Sequence, residues 1–173
     1  MGTMGEHGDV SSGLVLSPLQ EKALEAVLVQ LAAKSSAGLV LLATRTGHFI
    51  SMRGTQKRVD GAALASLVAA DLAASTQITA LVDVSEVHTM ILREGERTTL
   101  LIAEAGPALV LLVVASRDVP LGWIRMLVQG AAQRMAEITR PAPGRPAPAM
   151  AAVMPGGEFA DLVGQAIDDL WNE

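Results

Sequence analysis

The 173-residue chain is half apolar, carries charge on only 18% of its residues and has no cysteine, which excludes a disordered polymer, a disulfide scaffold and thiol chemistry. A single core of this length hides roughly 70% of the surface of the unfolded chain, so one domain with a short appendage is expected. The acids Glu158, Asp161, Asp168, Asp169 and Glu173 account for the whole net charge of −5, leaving a neutral body without the electrostatic footprint of a DNA-binding protein.

Residues 1–16 are rich in Gly and Ser and are expected to be loose. The first cation is Lys22, so the start lacks the basic n-region of a signal peptide; the longest apolar runs, 38–43 and 107–115, are too short to span a bilayer. A cytoplasmic protein is expected. Ser17-Pro18-Leu19-Gln20 reads as a helix start, with Ser17 as cap, Pro18 in the first turn and Gln20 reaching back. The helix should run to about Lys34, with Leu24, Val27, Leu28 and Leu31 on its buried stripe.

Gly38 to Thr44 reads as a buried strand, Thr46-Gly47 as a turn and His48 to Met52 as the returning strand of a hairpin. Asp60 should cap a helix over 61–76. Strands are expected over 84–93, 97–104 and 108–115, the last almost wholly apolar. Asp118-Val119-Pro120 should open a helix that runs to about Arg140. The order α-β-β-α-β-β-β-α predicts an α+β fold: a five-stranded antiparallel sheet with helices on both faces. The domain then covers 17–140. Residues 141–157 hold five of the eight prolines and read as an extended linker, and 158–173 as an amphipathic acidic helix.

No nucleotide-binding glycine loop, metal-binding histidine pair or nucleophile elbow occurs in the sequence. His48 and His88 stand alone on expected strands, the pattern of surface or satisfied core histidines. Nothing points to a catalytic site, a cofactor or a metal. The cations Arg45, Arg53, Lys57 and Arg58 form a run with no acid among them, ordinarily a solvated face, although the acidic tail could complement it.

Two segments call for a partner. The helix over 61–76 has one charge, Asp71. Drawn on a wheel, Leu64, Leu67, Val68 and Leu72 make the sheet-facing side, and the other side shows small residues where a surface helix carries charge. Either the helix is buried on all sides in one domain, or its small face meets another chain, with a twofold homodimer the natural arrangement. Asp71 falls among the large side chains without an evident role. The tail helix is too short to be stable alone, and its apolar face, including Phe159 and Trp171, suits a groove on a partner or on its own domain.

Three stretches in this order resemble the roadblock / dynein light chain family: Gly38-Leu-Val-Leu-Leu-Ala-Thr-Arg-Thr-Gly47-His-Phe-Ile, then Asp60 with Leu64-Ala-Ser-Leu67-Val-Ala-Ala, then Leu121-Gly122-Trp-Ile-Arg125. The likeness covers about 17–140 and looks strongest toward bacterial members that partner a Ras-like GTPase. One position departs: Thr44 stands where the family commonly has an acid before the hairpin turn. The resemblance implies a homodimer whose second helices lie side by side as a platform for one GTPase in its GTP form. It also implies GTPase activation without an arginine finger, by holding the GTPase's own switch residues in the hydrolytic arrangement. Carried over by position, Ser66, Ala69, Ala70, Ala73 and Gln77 would meet the GTPase or the second subunit. Phe159, Leu162, Ile167, Leu170 and Trp171 would be the contacts of the tail helix, which in such proteins can bind the GTPase away from the platform. Two alternatives stay open: a roadblock scaffold that binds without stimulating hydrolysis, and a small-molecule sensor or enzyme on a similar fold, which would need a polar pocket.

Overall fold

The computed structural model describes residues 14–55, 59–82 and 90–140, and by its contacts the chain divides into Met1–Arg140 and Pro141–Glu173. The linker over 141–157 and the tail helix over 158–173 lie outside the described residues, as do His7, His88, Lys57 and Arg58.

Helix α1, Pro18–Ser35, begins as its sequence predicts. Ser17 Oγ accepts the Gln20 N–H, and the Gln20 side chain accepts the Ser17 N–H at 2.9 Å, so two otherwise orphaned donors are satisfied reciprocally. Leu24, Leu28 and Leu31 are buried, and Val27 is half-buried beside them. Leu14 and Leu16, expected in a loose lead-in, also pack against this cluster.

Five strands follow in one antiparallel sheet: β1 (Ala37–Thr44), β2 (Phe49–Gly54), β3 (Met90–Glu94), β4 (Thr98–Glu104) and β5 (Leu109–Ser116), in spatial order β2-β1-β5-β4-β3. Successive side chains leave opposite faces of a strand, and the core divides accordingly. Val40, Leu42, Leu101, Ala103, Leu109, Leu111 and Val113 pack on one side with α1 and with α3, Leu121–Ile138. Leu39, Leu41, Ala43, Ile102, Val110 and Leu112 pack on the other with α2, Gly61–Leu81. Both faces of β1 and β5 are covered, which is why these strands are continuous apolar runs rather than alternating ones. Core volume is supplied almost entirely by aliphatic side chains.

Several boundaries differ from expectation. α2 extends five residues past the predicted end at Thr76, because Ile78 and Leu81 continue a helical sequence with no breaker. The strand expected from 84 is described only from Met90, since 83–89 lie outside the described residues. Asp118 does not cap α3. Its backbone N–H bonds to Ser116 Oγ and its carboxylate accepts the same hydroxyl, closing a turn, while Pro120 occupies the cap without a side-chain bond. At the end of β2, Gly54 has φ +151°, and a side chain there would come within 2.3 Å of Gly38 O, so only glycine lets the two strands close.

By length and composition α2 is apolar enough to cross a bilayer, with a mean hydropathy of 1.4 over an 18-residue window, although polar residues interrupt its apolar runs. Part of that apolar character is spent on the sheet, where Ala65, Val68, Ala69 and Leu72 are buried.

Candidate functional site

The outward face of α2 is set by four fastenings. Asp60 Oδ1 accepts the N–H groups of Ala62 and Ala63 at 3.0 and 3.2 Å, fixing the first turn. The Phe49 ring lies against Gly61, where a Cβ would meet it at 2.7 Å. The β1–β2 turn, with Gly47 at φ +90°, presses on the helix at Ser66, whose Oγ donates to Ala62 O at 3.2 Å and lies 3.4 Å from Gly47 O. Farther along, both oxygens of Asp71 accept from Arg93 Nη2, at 2.7 and 2.9 Å, tying α2 to β3. That ion pair is the role of the lone charge in the helix, and its 22-residue separation leaves no local sequence signal.

The helix is rotated from the wheel drawn on the sequence. Its sheet side is centred on Ala65, Val68, Ala69 and Leu72, with Leu64 half-buried. Leu67, expected inside, is 67% exposed. Ala69, expected to meet a partner, is buried against the chain's own sheet and leaves the candidate set. The physical reason is size: a helix approaches a sheet most closely where alanines face it, whereas a hydropathy wheel turns toward leucine. Ser66, Ala70, Ala73 and Gln77 are exposed on the outer face. Sequence reasoning missed the rest of that face. Beyond Leu72 the helix buries no further residue, and Ile78, Leu81 and Val82 are 59%, 84% and 62% exposed. The signal for them was the apolar spacing of 78 and 81 past the expected helix end. The outer surface thus has a small-residue half and a bulky apolar end.

Of the basic run, Arg45 and Arg53 lie among the described residues. Arg45 pairs with Glu104 at 2.7 Å, and Arg53 pairs with Glu25 of α1, whose other oxygen accepts Ser51 Oγ–H at 2.8 Å. Both arginines thus have a carboxylate partner within the domain. At the hairpin, Thr44 is buried and its hydroxyl accepts the His48 N–H at 2.9 Å and lies 2.8 Å from Thr46 Oγ1. His48 Nδ1 lies 3.0 Å from Thr46 Oγ1, so His48 belongs to this turn network. A neutral hydroxyl thus closes the turn at the position where an acid was expected.

Among the described residues no three His, Asp or Glu side chains converge as a metal site. A cleft of about 240 Å³ lies at the end of α3, between Met90, Ala103, Pro107, Ala132 and Ala136. The charges at it, Arg45 and Glu104, neutralise each other.

No protein-family model matches the sequence, and no curated protein does. Solved structures do. MglB from Myxococcus xanthus is 27% identical, with a TM-score of 0.66 over 72% of this chain and 93% of its own. A structure described as MglB with a tetrameric arrangement is 28% identical, with a TM-score of 0.67 over 75% of this chain and 97% of its own. A roadblock/LC7 domain from Streptomyces avermitilis, 17% identical, shares the fold with a TM-score of 0.51 over 66% of this chain and 89% of its own. The fold is that of the roadblock family, and the chain is MglB-like within it.

Proposed function

We propose that this MglB-like roadblock chain is a homodimeric regulator of a bacterial MglA-like Ras-family GTPase, binding its GTP form and stimulating hydrolysis in the cytoplasm. The observation that carries the reading is the incomplete cover on one side of the sheet. Five strands spaced about 4.8 Å apart make a layer about 20 Å wide, and one helix about 10 Å across covers half of it. On the α1–α3 side two helices complete the layer. On the other side α2 is the one helix among the described residues, with exposed leucine, isoleucine and alanine on its outer surface, and β3 is an edge of the described sheet. A second copy related by a twofold axis would supply both the missing helix and a strand for the β3 edge.

Ser66, Ala70, Ala73 and Gln77, with Leu67, Ile78 and Leu81, form the surface shared by the second subunit and the GTPase in this reading. α2 carries no Lys or Arg. Among the described residues, Arg93 at its side is paired with Asp71, which supports a mechanism without an inserted arginine. The chain acts instead by binding the hydrolytic arrangement of the GTPase better than the resting one, a population shift. It is a regulator with no catalytic group, metal or cofactor of its own, and it binds neither nucleic acid nor the membrane interior. The tail residues Phe159, Leu162, Ile167, Leu170 and Trp171 remain the proposed second contact with the GTPase.

GTP hydrolysis by the cognate GTPase tests this, measured alone, with the full chain and with the Ala73→Arg chain. Stimulation by the full chain and its loss in Ala73→Arg, with an unchanged melting curve, is the expected outcome. Binding of the GTP form without stimulation would make the chain a scaffold. Equal stimulation by Ala73→Arg would move the contact off α2.

A further inference from the structure

The α1–α3 side carries a surface that the α2 reading does not use. The start of α1 lies against the end of α3, where Gln20 Nε2 donates to Ile138 O at 2.8 Å. Between the two helices runs a groove of about 120 Å³, floored by Val27, Leu31, Leu127 and Ala131. Met126, at its edge, is 53% exposed, and Trp123 continues the apolar strip one turn earlier with 47% exposed.

In the floor of this groove sits Gly130, in the middle of α3. A glycine inside a helix costs about 1 kcal/mol relative to alanine. At Gly54 and Gly61 a side chain would collide with its neighbours, whereas Gly122, in the first turn of α3, and Gly130, in its middle, have open space beside them. A Cβ at Gly130 would meet nothing within 4 Å. The chain's own packing therefore does not need the missing side chain, yet its absence deepens the groove.

The charged residues lining the groove are Lys34 and Arg134, and no carboxylate lines it. Lys34 forms no ion pair among the described residues, and the polar partner of Arg134 there is the Gln30 side chain at 3.5 Å. Two cations are too few to hold a nucleic acid backbone. They suit a protein segment with acidic flanks. A groove between two packed helices accepts a third by the same ridge-and-groove fit that packs helices in a core.

We propose that the α1–α3 groove docks an acidic amphipathic helix of a partner protein, with one bulky apolar side chain seated over Gly130 and its acidic flanks on Lys34 and Arg134. This surface lies on the opposite side of the sheet from α2, so the regulator could hold this partner and its GTPase together.

The probe is a fluorescein-labelled designed helical peptide, with leucines at helical spacing, one central tryptophan and glutamates on the opposite face. Its twin carries lysine at each glutamate. Fluorescence anisotropy is read against the full chain and four variants: Gly130→Phe, which fills the notch, Gly130→Ala, which adds one methyl, Lys34→Glu with Arg134→Glu, and Ala73→Arg on the α2 surface. The acidic peptide should bind the wild-type chain saturably and more tightly than its twin. Gly130→Phe and the double charge reversal should each weaken it by about tenfold or more, with Gly130→Ala close to wild type. The charge-reversed chain changes two exposed positions, so it keeps the test decisive even if Gly130→Phe melts early. Failure of the acidic peptide to bind the wild-type chain overturns the proposal. So does equal binding to Gly130→Phe and the charge-reversed chain, or binding lost in Ala73→Arg instead. GTPase stimulation should stay unchanged in the Gly130 and charge-reversed variants and be lost in Ala73→Arg, which separates this site from the α2 surface.

Discussion

The two sides of the sheet are built from the same aliphatic residues but finished differently. On one side α1 and α3 share a large cluster from Leu24 to Met135, and what stays open is a narrow groove between them. On the other side α2 alone meets a smaller cluster, buries nothing after Leu72, and leaves its outer surface bare. The difference teaches that low charge in a helix has two meanings. In α3, Gln129, Gln133 and Arg134 mark a solvent side, so its exposed Trp123 and Met126 are a local exception. In α2 the single charge, Asp71, is tied to Arg93, and the rest of its outer surface is apolar, small or neutral polar, unlike an ordinary solvent-facing helix.

The sharpest way to break this comparison is to remove the anchor that holds α2. Leu72→Ala should cost about 2–5 kcal/mol, read from the urea midpoint, because Leu72 is fully buried in the smaller cluster and its loss leaves a cavity. The same variant should also weaken self-association. Leu28→Ala, in the larger cluster, should cost a similar amount and leave association intact in the protein that remains folded. Equal loss of association in both would mean that the two sides are not functionally distinct.

Gly130→Ala should act in the other direction. It should raise stability by about 1 kcal/mol, seen as a higher Tm, since the exposed helix gains propensity and nothing is displaced. Unchanged or lower stability would show that the glycine serves the fold after all and would remove a main reason for calling the groove a binding surface.

The smallest effect is expected at the clamp between α2 and β3. Asp71→Asn should cost only about 0.2–1 kcal/mol, because the pair is partly exposed. Its consequence should appear locally, as faster amide hydrogen exchange over residues 73–81, which no longer have a charged tie near their base. Uniform protection along α2 in that variant would mean the small apolar contacts position the helix unaided.

Much of the fold was legible in the sequence because its signals are local. Ser17 and Gln20 cap α1 as their spacing demands, Asp60 caps α2, and the β1–β2 and β3–β4–β5 hairpins follow from their turns, whereas the β1–β5 pairing at the centre of the sheet has no local signal. The candidate surface was legible only in part. A wheel weighted by hydropathy placed Leu67 inside and Ala69 outside, the reverse of what close helix–sheet packing selects. The overhanging end with Ile78 and Leu81 was lost with the helix boundary, which apolar spacing alone fixes poorly. The pairings of Asp71 with Arg93, Arg45 with Glu104 and Arg53 with Glu25 join residues far apart in sequence, and no local pattern could announce them.

The aliphatic core has an optical consequence. The chain has no tyrosine and two tryptophans, and Trp123 is half-exposed at the rim of the α1–α3 groove rather than inside the core. Exposed to that degree, Trp123 should emit as a solvent-contacting indole in the native state and register the loss of the core weakly, so unfolding of the domain is better followed by circular dichroism. With Trp171→Phe the chain would carry a single native fluorophore beside Met126, a reporter blind to the interior and tuned to whatever shields that rim from water.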